Sequence, residues 1–226
     1  MILKQLTRTD KLAYIFLLLV LSLGVYYANT DLEYFDTVYT KEDGFAEYCT
    51  AFLLFCISAL LIYRLIKFFS VKKPLWKIGV FFMALIFIFG AGEEISWGQR
   101  IFNVESSEYF LENNAQGETN LHNMVVEGKK INKIIFSQLL TAVLIIYLII
   151  TPFLFRKIKW IHNLINSFGV PIPKWHHTFA FLITTTIVLT LMPSDRKWEL
   201  YELAFGVIFF LIYLFPFNKY IYESKP

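Results

Sequence analysis

Residues 78–97 read IGVFFMALIFIFGAGEEISW. The first fifteen positions carry no charge, and apolar side chains recur without the period-2 alternation of a barrel strand. A helix that crosses the hydrocarbon layer needs about 20 such residues, in a range of roughly 17–25. The stretch therefore reads as a membrane span that closes on two adjacent glutamates, Glu93 and Glu94.

Five further runs of this kind flank it: Leu12–Ala28, Ala46–Ile66, Ile134–Phe155, Phe179–Met192 and Leu200–Phe217. The last two reach span length with His177, Thr178 and Pro193, and with Trp198 or Glu199, respectively. Composition agrees. Hydrophobic residues make up 57% and charged residues 17%, against roughly 45–50% and about 25% in soluble domains. Residues 1–226 are thus expected to form one integral membrane domain, an all-α polytopic transmembrane helix bundle of about six spans. Lys4, Arg8 and Lys11 before the first run resemble a signal-peptide start. The run ends in Tyr26-Tyr27-Ala28-Asn29, a poor small-x-small cleavage site, so it reads as an uncleaved span.

The charges alternate from loop to loop. With six spans, one side holds 14 Lys/Arg and 2 acids, while the other holds 7 Lys/Arg and 16 acids. The Lys/Arg bias of cytoplasmic loops places both termini inside. The cytoplasmic loops show no phosphate-binding Gly motif and no nucleic-acid module, so their partner is the lipid bilayer with its anionic headgroups. Cys49 and Cys56 lie seven residues apart on one span, roughly 10 Å along the axis, too far to pair.

Glu93 stands about 24 Å up its helix from Lys77, near the outer end of the span. An ionisable residue at such a position is a functional-site hypothesis. As a continuous helix, Glu93, Trp97 and Arg100 share a face. Gly90, Ala91 and Gly92 let a neighbouring helix approach. Glu47, Glu199 and Glu202 bring supporting carboxylates to the same depth. Between the third and fourth spans, residues 101–133 form a long extracytoplasmic loop that could close as a lid. Ser106-Ser107 reads there as the cap of a short helix over Glu108–Glu112. Asp31–Glu42 reads as a second interfacial segment. A helix from Glu118 would set Glu118 and His122 at i, i+4 for a shared metal; a rival reading makes Thr119 or Asn120 an N-cap. The metal-ligand candidates are Glu93, Glu118 and His122, for a divalent metal ion such as Zn²⁺, Mn²⁺ or Ca²⁺. The catalytic candidates are Glu93 and Glu94, as acid and base, with Arg100 for an anionic group. The other histidines, His162, His176 and His177, fall on the cytoplasmic side, and His176-His177 beside Trp175 reads as an interfacial cap.

The block Gly92-Glu93-Glu94-Ile95-Ser96-Trp97-Gly98-Gln99-Arg100, followed by Gly117-Glu118-Thr119-Asn120-Leu121-His122-Asn123, resembles a pattern in uncharacterised bacterial polytopic membrane proteins. The resemblance implies a bacterial inner (plasma) membrane location and no established activity. A looser similarity is to the glutamate intramembrane proteases of the prenyl-endopeptidase and bacteriocin-processing type. Their Glu-Glu pair is matched by Glu93 and Glu94. Here the spacing to the arginine is longer, and no later span carries an intramembrane histidine. Alkaline-ceramidase-like hydrolases are a comparably loose analogy.

Two function classes follow. One is a membrane-embedded hydrolase or transferase acting on a lipid-like substrate from the outer face. The other is a non-enzymatic component: a scaffold, an ion-binding subunit or a small transporter. The span centres are nearly bare of polar groups apart from Gln138 and Thr184-Thr185-Thr186, which counts against a permeation path.

Overall fold

A computed structural model describes residues 6–126, 129–130 and 139–224. The fold is an all-α bundle, with one two-residue antiparallel ladder pairing Val125–Val126 with Lys129–Lys130. Its elements are α1 (Arg8–Thr30), α2 (Leu32–Tyr34), α3 (Phe45–Phe68), α4 (Pro74–Glu94), α5 (Glu108–Asn113), α6 (Leu140–Ile145), α7 (Thr151–Lys157), α8 (Lys159–Ser167), α9 (Trp175–Leu191) and α10 (Lys197–Leu214). A wide helical turn, Ile146–Ile150, joins α6 to α7.

Among the described residues, four helical stretches are long and apolar enough to cross a membrane: α1, α3, α4 and Leu140–Lys157. The expected start of the fourth span, residues 134–138 with Gln138, lies outside the described residues. Only 17–33% of the apolar window in these helices is buried within the chain. Leu18, Leu19, Phe52, Ile66, Phe82 and Ile86 are all exposed. A soluble protein does not present so much apolar surface; a bilayer covers it without cost.

Local signals explain the helix ends. Thr7 and Asp10 close a capping box at the start of α1. Pro74 opens α4, where its missing N–H is no loss. Pro152 has the opposite effect inside the 140–157 stretch. It cannot donate to the Leu148 carbonyl, and Thr178 Oγ1 of α9 takes that carbonyl instead at 2.8 Å.

Helix α10 is the centre of the packing. Its Leu203, Ala204, Ile208, Leu211 and Ile212 are at most 1% exposed, and it lies against α3, α9 and α1. At one end of the bundle Arg64 donates to the Tyr213 carbonyl at 2.6 Å and stacks on Tyr222. Buried Asn218 ties Val170 and Ile172 together there. This basic end is opposite the end where α3 and α10 begin, which carries Glu47, Glu199 and Glu202. Gly24 admits Leu200: a Cβ there would come within 2.5 Å of its Cδ1.

The Asp31–Glu42 segment is folded rather than merely interfacial. Asp31 caps Tyr34, Phe35 is fully buried, and Tyr39 Oη donates back to the Val20 carbonyl. Cys49 and Cys56 are free thiols.

Candidate functional site

The span that opened the sequence reading ends sooner than its apolar pattern implies. Helix α4 stops at Glu94, and Ser96, Trp97 and Gly98 follow with φ of 46°, 55° and 79°. Three successive left-handed residues, two of them with a Cβ, cost roughly 1–2 kcal/mol per non-glycine residue. The surrounding contacts offset that cost. Ser96 is fully buried; its Oγ donates to Glu118 Oε2 at 2.7 Å and accepts from Asn120 Nδ2 at 2.9 Å. The Trp97 indole folds back over α4 and donates from Nε1 to Glu93 Oε1 at 2.9 Å. Gly92 makes room for that ring, since a Cβ would lie 2.8 Å from it. The expected helical face of Glu93, Trp97 and Arg100 is therefore not formed. Glu93 and Trp97 meet through the turn, and Gly92 accommodates an indole rather than a neighbouring helix.

Past the turn, Arg100 meets three carboxylates. Its Nη1 contacts Glu118 Oε1, its Nη2 lies 3.2 Å from Glu47 Oε1, and its Nε lies 2.7 Å from Asp43 Oδ2. The Nε–Asp43 contact is an ion pair without hydrogen-bond alignment. Glu93 Oε2 accepts the backbone N–H groups of Leu121 and His122 at 2.6 and 3.1 Å, and His122 Nδ1 stands 3.8 Å from it. These contacts clamp the loop onto the helix ends. Within the loop, buried Asn114 and Asn120 replace backbone pairing with side-chain bonds. The short helix α5 forms, but Ser107 makes no capping hydrogen bond; Ser106 instead bonds Thr119. Residues 114–124 contain no helix, so Glu118 and His122 do not share a helical face. Glu118 turns to Arg100, and His122 turns to Glu93.

The remaining acids differ. Glu94 of α4 has Glu202, Glu199 and Glu47 as charged neighbours. Glu202 has His122, Glu47 and Arg196 as charged neighbours. Neither Glu94 nor Glu202 accepts a hydrogen bond or forms an ion pair among the described residues. Glu199 has a distant partner in Arg196, at 3.7 Å. Arg196 is itself held by the Thr40 carbonyl, at 2.6 Å, and by Glu42. At the surface of the chain itself, Glu202 is exposed and Glu94 half-buried. The geometry thus sorts the acids into two sets. Glu47, Glu93 and Glu118 hold structure together, whereas Glu94, Glu199 and Glu202 face one another with His122 nearby.

A second polar centre sits at the basic end, where the sequence reading expected an interfacial cap. Asp10, His176 and His177 are 0%, 6% and 0% exposed. One ligand-type atom of each lies within 4.8 Å of the other two, and no other such group of three occurs among the described residues. Thr7, on the start of α1, satisfies Asp10 Oδ2 through its backbone N–H and its hydroxyl, each at 2.8 Å. Tyr14 Oη is 2.8 Å from His176 Nδ1. This centre is not legible in the sequence as a local motif, because 162 positions separate Tyr14 from His176. The available signal was depth: a Thr-x-x-Asp helix start and a His-His helix start both belong to the basic end.

Comparison of the chain with protein-family models, with curated proteins and with solved structures found no match.

Proposed function

We propose that this chain is a multi-pass membrane protein of about six spans, with both termini cytoplasmic in a bacterial inner membrane. In this reading the Glu94–Glu199–Glu202 group is an outer-face reaction centre for hydrolysis or group transfer on a lipid-like substrate. The observation that carries the proposal is that Glu94 and Glu202 lie among further carboxylates and make no hydrogen bond or ion pair among the described residues. Like charges held together at a helix end destabilise the fold and are a recurrent feature of functional sites. Adjacent carboxylates cannot all ionise, so one holds a proton while another accepts one, the division needed for acid–base catalysis. The clamped loop of residues 101–126 supplies the cover. The exposed helix faces beside it let a lipid reach the centre from the bilayer.

The test compares wild type with Glu94→Gln and Glu202→Gln. Cells expressing each at equal level are profiled by mass spectrometry of total lipid and lipid-linked intermediates. The expected result is a species altered by wild type and unaltered by either variant, with both variants folded. Identical profiles for all three would overturn the proposal. The scaffold reading has its own support, since Arg100, Glu47, Glu93 and Glu118 are all spent on structure. Identical lipid profiles together with a fixed co-purifying protein would favour it.

A further inference from the structure

Three buried polar atoms of the basic-end centre make no hydrogen bond: Asp10 Oδ1, His176 Nε2 and His177 Nε2. They come from two helices that start at the same end, α1 and α9. Asp10 Oδ1 and His177 Nε2 stand 3.8 Å apart, too far for a direct hydrogen bond and close enough for a shared ligand. Buried polar groups are ordinarily satisfied, so three unpaired atoms on three side chains gathered in one buried group call for an occupant.

We propose that Asp10, His176 and His177 form a binding site for a borderline divalent transition metal, with Zn²⁺ as the expected ion. Two imidazole nitrogens and one carboxylate oxygen are a standard three-ligand zinc set, with a fourth position left for water. The outer parts of the ligands are held in place. Tyr14 Oη is hydrogen-bonded to His176 Nδ1, which fixes that ring and leaves Nε2 for the metal. Thr7 holds Asp10 Oδ2, so Oδ1 is the oxygen turned to the histidines. The dication would neutralise a fully buried carboxylate. One contact opposes loading. His177 Nδ1 accepts from the Lys174 backbone N–H at 3.2 Å, which places the ring proton on Nε2. Coordination through Nε2 moves that proton to Nδ1 and gives up this long hydrogen bond. A water molecule is the competing occupant, since it fits the ring tautomers without that change.

The test uses the full chain, purified in detergent without chelator from cells grown with added zinc. Elemental analysis is expected to find about one zinc per chain. Asp10→Asn and His177→Gln should lower this roughly tenfold or more, while His162→Gln and Glu94→Gln should retain it. Should the triad variants fail to fold, cobalt(II) added to the chelator-stripped wild type decides. The intense visible bands of a four-coordinate nitrogen–oxygen site are expected. Folded wild type without zinc and without those bands would overturn the proposal. So would zinc that persists in Asp10→Asn but is lost in Glu94→Gln, which would place the metal at the acidic end instead.

Discussion

Arg100→Gln tests whether the loop is held by the three-carboxylate clamp. Glutamine keeps much of the length and some hydrogen bonding but removes the charge. A hydrogen bond to a charged group contributes about 1.5–3 kcal/mol net. The Asp43 arm adds little, because Arg100 and Asp43 are 28% and 34% exposed and solvent screens them. The other two arms reach side chains only 7% and 11% exposed, Glu47 and Glu118. Removing the cation also leaves those two carboxylates buried without a counter-charge, and breaking a buried pair costs about 3–5 kcal/mol. Because Arg100 is itself partly exposed, the lower part of that range applies, about 3 kcal/mol. For a chain of this length each kcal/mol shifts Tm by about 2–4 °C, so the midpoint should fall by about 6–12 °C. The assay is thermal unfolding in one fixed detergent, followed by tryptophan fluorescence. Limited chymotrypsin digestion at exposed Tyr109 gives an independent view of loop release. A double-mutant cycle with Glu118→Gln completes the test. A Tm shift under about 2 °C, or a coupling below about 0.5 kcal/mol, would refute the clamp.

Gly79→Ala should destabilise the chain by about 1–3 kcal/mol or more, because its Cβ would sit 2.0 Å from the Phe168 carbonyl oxygen; a Tm equal to wild type would contradict this packing. Gly92→Val should push the Trp97 indole off α4, cost about 1–3 kcal/mol and red-shift the fluorescence; an unchanged spectrum would contradict the folded-back ring. In a background with Cys49 and Cys56 replaced by serine, a cysteine at position 105 should react with an impermeant thiol reagent in intact cells, and one at position 72 only after lysis. Labelling in the reverse order would invert the proposed topology.

The apolar runs placed the helices without help from tertiary structure. Each expected span appears as a helix where it lies within the described residues, and four of these helices are long and apolar enough to cross a membrane, because an apolar segment has few other ways to satisfy its backbone in lipid. The ends were harder to read. Glycines and aromatics continue the apolar pattern through Ile95–Gly98, yet the chain turns left-handed there. The turn is fixed by Glu118 and Asn120, more than twenty positions away. For the same reason Glu118 and His122 share no helical face. Their partners, Arg100 and Glu93, lie outside their own segment.

What the sequence determined by itself is the all-α membrane architecture and the gathering of acids at one end of the bundle. Both depend on hydropathy and charge summed over long stretches, which vary little with side-chain detail. Only the tertiary structure decided which acids are neutralised and which are not. Glu93 and Glu94 are neighbours in sequence, but one is bonded to a tryptophan and two backbone amides while the other faces further carboxylates. Likewise, only packing brought Asp10 to His176 and His177. Short-range chemistry of this kind depends on ångström distances between remote segments, and those distances exist only once the helices are assembled.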